Sequence, residues 1–347
     1  MTYKTCIIGC GNIASIWSNL FSKWPVTHMA AYQKHSKTEV VGVCDIDINK
    51  AKECALKWNV KKFYSNMDEM LSQLKPDIVS VCTPCENHYD TVKKILQFPV
   101  KAILCEKPIA DNLNKAKEMI KLCKEKNVPL IINHPRRYDE LHNYVKNNLS
   151  HLVGNPKKIS FFYSGEIINH GSHLFDLLKN YFGEIKWVQA DSEGDGLNIL
   201  LKFKSGLVGS VLSFDFDDIS IFDLSIIGDK ARIDLINKPF WDYDYRYFKK
   251  EKDLIMDKAN IFSKNHSEDI DKKFDREFFV KAVDDTIRSI ESGEKPISPG
   301  EEALAALEVM MAAIYSSQNE GKRINLPFEI DMILPKAKGE LKKWQKD

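Results

Sequence analysis

The stretch INHGSHLFD, Ile168–Asp176, sets His170 and His173 three residues apart, with Asp176 three further on. On a helix such positions are neighbours. Two imidazoles and a carboxylate could clip a metal ion. One imidazole alone could move a proton, because its ordinary pKa of about 6.5 lies near working pH. A capped or core histidine with no chemistry is the third reading. Lys107 in CEKP, Cys105–Pro108, ends an apolar run. A cation there can hydrogen-bond an oxygen and stabilise charge that develops on it. The pair in CTPC, Cys82–Cys85, has redox spacing, but there is no second C-x-x-C to complete a zinc site.

GCGNIA, Gly9–Ala14, has the G-x-G-x-x-G/A form. Gly9 permits a tight turn, Gly11 lets backbone approach a pyrophosphate, and Ala14 lets the following helix pack close to its strand. Asp45 ends the next apolar run, where an acid can bind ribose hydroxyls. Such an acid would repel a 2′-phosphate, so NAD is favoured over NADP. The interval to Asp45 exceeds the usual ~20 residues, and WSNLFSKWPVTHMAAYQKHS must fill it as an extended helical connection.

These residues need a scaffold. KTCIIG, EVVGVCD, DIVSVCTP, VKAILCEKP and VPLIINHP are continuous apolar runs separated by helix-period segments, and KKFYS is a short further strand. Continuous runs suit strands buried on both faces of a parallel sheet. The alternation predicts an α/β Rossmann domain, a doubly wound parallel sheet, over 1–134. Ligands bind beyond the carboxyl ends of strands in such sheets, which is where Lys107 stands. From 135 to 347 the pattern is α+β, with an open, mostly antiparallel sheet. Hairpins are expected at Lys204-Ser205-Gly206 and at Gly228-Asp229. DELHNYVKNNLS and SHLFDLLKNYFG read as helices, 250–272 as a polar, mobile loop, and the tail as two more helices. Phe161, Tyr163 and Trp241 are generic strand aromatics.

The 347 residues carry 50 basic and 49 acidic side chains, a net charge of +1. That balance gives no electrostatic reason for a nucleic-acid or membrane partner. The N-terminus does not read as a signal peptide, and no run approaches the ~18 apolar residues of a membrane span. A cytoplasmic protein with eight reduced cysteines is expected.

GCGNIA, CTPCENH, CEKP and INHGSHLFD stand in one order ahead of the tail FFVKAVDDTIRSIESGEKPISPGEEALAALEVMMAAIYSS. Together they resemble the glucose–fructose oxidoreductase/inositol dehydrogenase (Gfo/Idh/MocA) family over nearly the whole chain. The resemblance implies an NAD(P)-binding domain and a substrate-binding and oligomerisation domain that forms homodimers or homotetramers. It implies hydride transfer at a carbinol or ketone carbon of a sugar or nucleotide sugar. Cofactor contacts would fall on Gly9, Gly11, Asn12, Ile13, Asp45, Thr83, Pro84, Asn87, His88, Glu106 and Lys107. Lys107, Arg137, Asn169 and His173 would meet the substrate, and Lys107, His173 and Asn169 would serve catalysis, with no metal. His173 falls on the histidine of the family's D-x-G-x-H-x-x-D signature, Gly171 on its glycine and Asp176 on its last acid. Asn169 replaces the first acid, as in a branch that acts on nucleotide sugars in surface-polysaccharide pathways. The family also includes a transcriptional regulator, so a sensor without turnover is the alternative.

Overall fold

The computed structural model describes residues 2–17, 24–192, 196–214, 220–238, 242–252, 260–265 and 274–335. The first part of the chain runs β1 (Tyr3–Ile8), α1 (His28–Lys34), β2 (Thr38–Cys44), α2 (Ile48–Lys57), β3 (Phe63–Tyr64), α3 (Met67–Leu74), β4 (Ile78–Val81), α4 (His88–Ile95), β5 (Ala102–Cys105), α5 (Leu113–Glu125) and β6 (Leu130–Ile132). All strand pairings are parallel, in the order β3-β2-β1-β4-β5-β6. This is the doubly wound order, and its strand order reverses between β1 and β4. Every residue of β4 and β5 is buried, as strands covered on both faces require. Thr27, Asp47, Asn66 and Asn112 cap α1, α2, α3 and α5 through their side chains, each worth about 1 kcal/mol. The expected helical connection before Asp45 is realised only in part: α1 begins at His28, and 18–23 lie outside the described residues.

The chain continues as α6 (Glu140–Asn147), α7 (Leu149–Val153), β7 (Pro156–Ser164), α8 (Ile167–Phe182), β8 (Ile185–Asp191), β9 (Asn198–Phe203), β10 (Val208–Phe214), β11 (Phe222–Gly228), β12 (Ala231–Lys238), β13 (Asp242–Lys252) and β14 (Asn260–Asn265). It closes with α9 (Phe278–Ser292), α10 (Gly300–Gln318) and β15 (Ile324–Asn325). Among the described residues the second sheet has nine strands, in the order β14-β13-β12-β11-β7-β10-β9-β8-β15. Only β7 and β10 pair in parallel. The hairpins β9–β10 and β11–β12 turn where expected. Strict alternation of burial along β11 gives the sheet one apolar face. The 250–272 stretch is not simply a loop: β13 reaches Lys252 and β14 spans Asn260–Asn265. Its remainder, and Trp241, lie outside the described residues.

The compact units are discontinuous, unlike a single cut after residue 134. One comprises Met1–Asp139, Arg276–Ala305 and Asp331–Ile333; the other comprises Glu140–Asp275, Ala306–Ile330 and Leu334–Asp347. The physical reason is α9. It buries Phe278, Phe279, Ala282 and Val283 and packs against α1 and β5. The segment after it extends the sheet edge: Ile132 N–H donates to Ser298 O at 2.9 Å, and Pro299 bridges Ile131.

Candidate functional site

In the first unit the chemistry-bearing residues gather at the carboxyl ends of the strands. Gly9 has φ +90°, and a Cβ there would stand 2.7 Å from both the carbonyl carbon and oxygen of Cys82. Only glycine fits. Gly11 is different. Its φ is −79°, and a Cβ on it would meet no atom within 4 Å. Nothing in the protein's own packing demands glycine there, whereas backbone approach to a pyrophosphate does. Exposed Asn12 and half-buried Ile13 follow in a π-helical turn, and Ala14 is fully buried. Asp45 holds this loop: Oδ2 accepts from Cys10 N–H at 2.8 Å and Oδ1 from Asp47 N–H at 3.0 Å. Lys57 Nζ donates to Ser15 O at 2.8 Å, a cation at the end of the turn.

Beyond β4, Thr83 is half-buried while Pro84 and Asn87 are exposed. The buried Thr83 hydroxyl has no partner among the described residues. An open glycine, an acid at the end of β2 and an unspent hydroxyl together fit a dinucleotide. His88 lies beneath this turn rather than on it. It is fully buried, its Nδ1 2.9 Å from Pro108 O and its Nε2 2.8 Å from Thr83 O. That arrangement departs from its expected place as a cofactor contact: the ring lies between two turns, and as a neutral imidazole donates to one of the two carbonyls. Burial pushes the Cys82 thiol well up; burial and then Glu86 push Cys85 up to about 12. Neither is a thiolate at neutral pH, so redox use of this pair has no support.

Glu106, read as a cofactor contact, also turns inward. It is 6% exposed. Its Oε1 lies 2.9 Å from His28 Nε2 and accepts from Asn133 Nδ2 at 2.7 Å. His28 Nδ1 is 2.9 Å from Ser80 Oγ, which is 2.8 Å from the Tyr32 hydroxyl. Burial alone would raise the Glu106 carboxyl, but the hydrogen bond and electrostatic pull of His28, then the charge of Lys107 and a hydrogen bond from Asn133, hold it below the usual range. Lys107, half-buried, follows directly. Arg137 makes structural contacts. Its guanidinium donates to Ile297 O at 3.1 Å and to Glu302 at 3.2 Å, within the same unit. His28, Ser80, Tyr32 and Asn133 went unmarked in the sequence. A serine inside the apolar run IVSV, and a His–Tyr pair at i, i+4 in HMAAYQK, are the signals that could have found them.

In the second unit α8 carries the signature. It begins at Ile167, so His173 and Asp176 sit inside the helix. Asn169, His173 and Asp176, at i, i+4 and i+7, share a stripe. Asn169 is exposed, His173 is 8% exposed and Asp176 1%. His170 turns elsewhere. Its ring lies against Gly165, at φ +87°, where a Cβ would meet it at 2.9 Å. Gly171 lets α8 approach α10, since a Cβ there would stand 3.0 Å from Met310 Sδ. Among the described residues no group of three His, Cys, Asp or Glu is arranged to hold a metal ion. No helix among them is long and apolar enough to cross a membrane.

The family description "Oxidoreductase family, NAD-binding Rossmann fold" matches residues 3–134, and "Oxidoreductase family, C-terminal alpha/beta domain" matches 158–326. A D-apiose dehydrogenase from Paraburkholderia graminis is 26% identical over 235 residues, 60% of each protein. A D-glucoside 3-dehydrogenase from Escherichia coli is 31% identical over 116 residues, 30% of its own length, so these first relatives are matched only in part. A myo-inositol 2-dehydrogenase from Thermotoga maritima is 23% identical over 90% of this chain and 96% of its own. The fold is shared with the WlbA dehydrogenase from Bordetella pertussis, solved in complex with NADH and UDP-GlcNAcA: TM-score 0.74, 20% identity, 95% of this chain and 100% of that one. With both of its domain models matched, one over the glycine loop and Lys107 and the other over α8, the chain belongs to the Gfo/Idh/MocA oxidoreductase family.

Proposed function

We propose that the protein is an NAD-dependent dehydrogenase or reductase acting at a carbinol or ketone carbon of a sugar, and that the sugar is nucleotide-linked. The observation that carries the first part is the position of Lys107. It follows β5 at the strand edge that also bears the Gly9–Gly11 loop and Asp45, beside an anionic Glu106. When bound, NAD supplies the hydride acceptor or donor. The residues supply the rest. Lys107 hydrogen-bonds the reacting oxygen and stabilises alkoxide character as hydride leaves the carbon. His173 accepts the hydroxyl proton, and in the reverse direction returns it to the ketone oxygen. Asn169 cannot exchange a proton at neutral pH, so it orients substrate or imidazole. Asp45 supports NAD over NADP.

The nucleotide-sugar assignment is supported by Asn169 and by likeness along the whole chain to a fold that binds UDP-GlcNAcA in another protein. The same features support a role in surface-polysaccharide sugar biosynthesis; the family resemblance supports a homodimer or homotetramer, and the proposed site of action is the cytoplasm. A sensor that binds dinucleotide and sugar without turnover is favoured by one feature, the amide of Asn169. The test is nicotinamide absorbance during incubation with NAD and a panel led by UDP-GlcNAcA, beside free aldoses and myo-inositol. Turnover confined to nucleotide sugars supports the proposal. Turnover of free sugars alone removes its second part, and tight NADH binding with no turnover favours the sensor.

A further inference from the structure

We propose that His28 is a positioning residue for Lys107: a one-way hydrogen-bond chain, Tyr32 to Ser80 to His28 to Glu106, fixes the anion beside the lysine. The kinetic consequence rests on the reading of Lys107 above; the chain itself does not. Every member belongs to the first unit, and Tyr32, Ser80 and His28 are all fully buried. An ionised carboxylate only accepts hydrogen bonds. At 2.9 Å, His28 Nε2 must therefore carry the proton that meets Glu106 Oε1. In the proposed chain His28 Nδ1, 2.9 Å from Ser80 Oγ, is the acceptor. Ser80 spends its one proton there, so it accepts from Tyr32 O–H at 2.8 Å. In this direction every hydroxyl and ring N–H has an acceptor.

Several described groups face Glu106 and His28. Lys107 and Cys105 flank Glu106 at its own strand end, and Cys82, just after β4, and His88 on α4 act on it electrostatically. Burial holds both thiols protonated and His88 below its ordinary value. From β6 the neighbour is the neutral amide of Asn133, and α9 presents to His28 the edge of the Phe279 ring, 5.7 Å between centroids. A buried carboxylate that loses a donor takes up a proton or turns away. Lys107 would then lose the negative neighbour that favours its charged, hydrogen-bonding form.

The test needs no substrate. In 15N-histidine protein at pH 7, with His28→Gln assigning the signal, His28 should show a protonated Nε2 and a bare Nδ1. Lysines are then 13C-dimethylated and Lys107 is assigned by Lys107→Arg. In His28→Asn, which reaches Ser80 but not Glu106, the Lys107 titration midpoint should fall by about one unit. In His28→Gln, whose amide reaches Glu106, it should stay within about 0.3 unit. Where a sugar is turned over, kcat should fall on the order of tenfold in His28→Asn, with the NAD KM unchanged, and recover in His28→Gln. A proton on Nδ1 in the unaltered protein, whether Nε2 is bare or protonated, overturns the chain, whether or not the variants fold. So does an unmoved Lys107 midpoint in folded His28→Asn. Failure of the catalytic reading looks different: Lys107→Ala keeps full turnover while the midpoint still follows His28.

Discussion

Gly9 and Gly11 stand two residues apart in one loop, and the structure gives their replacement by alanine opposite consequences. In Gly9→Ala the new Cβ lies 2.7 Å from the backbone carbonyl carbon and oxygen of Cys82, where ordinary contact begins at 3.4 Å. Strand backbone cannot rotate away as a side chain can. The residue must also keep φ +90°, which costs an L-residue about 1–2 kcal/mol. Overpacking adds about 1–3 kcal/mol. For a unit of this size a loss of about 2–5 kcal/mol lowers Tm by roughly 5–15 °C. Gly11→Ala meets no atom within 4 Å at φ −79°, so Tm should move by less than about 2 °C. Its cost appears only with cofactor: the methyl occupies the approach to the pyrophosphate, and NADH affinity should fall at least about tenfold, or about 1.4 kcal/mol. Scanning calorimetry and an NADH fluorescence titration separate the two effects. If Gly11→Ala binds NADH as tightly as the parent, or loses as much Tm as Gly9→Ala, the assignment of the loop fails.

Glu106 predicts a pH dependence. Its folded pKa lies below the ordinary 4.5, so its stabilisation is full above that value and fades as pH falls through the folded pKa. The melting temperature of the parent should therefore drop more steeply below pH 4.5 than that of Glu106→Gln, and parallel curves would refute the ionised carboxylate. His88→Ala empties the space between Thr83 O and Pro108 O and removes the ring's hydrogen bond to one of them. It should cost about 1–3 kcal/mol in denaturant melts and weaken NADH, whereas unchanged NADH affinity would place those turns away from the cofactor. Gly171→Val forces a methyl toward Ile167 and Met310. It should destabilise the second unit by about 1–3 kcal/mol and speed its proteolysis with NADH affinity unchanged; normal protease resistance would show that α8 and α10 can part at no cost.

Much of this was legible in the sequence because the signals were local. Apolar runs of buried strands, glycine at a turn and hairpin punctuation each act within a few residues. The placement of Lys107 after β5 followed from the sheet rule alone. What escaped was non-local. The division into units depends on α9 returning to the first sheet, and the amphipathic pattern of α9 says which face is buried, not against what. His88, Glu106 and Arg137 carry polar groups that suit a ligand as well as a partner within the protein, and only the fold shows Thr83 O, His28 and Glu302 beside them. The helix expected over SHLFDLLKNYFG starts earlier, at Ile167, because its N-cap Glu166 makes no side-chain capping bond that would mark it.

The most direct test is the rate of nicotinamide reduction, at saturating NAD and nucleotide sugar, in Lys107→Ala beside the parent, with NADH affinity measured on the same samples. Loss of an electrostatic donor at the reacting oxygen predicts a fall in kcat of roughly 100-fold or more, with NADH bound within about threefold of the parent. A Lys107→Ala protein that keeps the parent's kcat would contradict the assignment of Lys107 to the reaction.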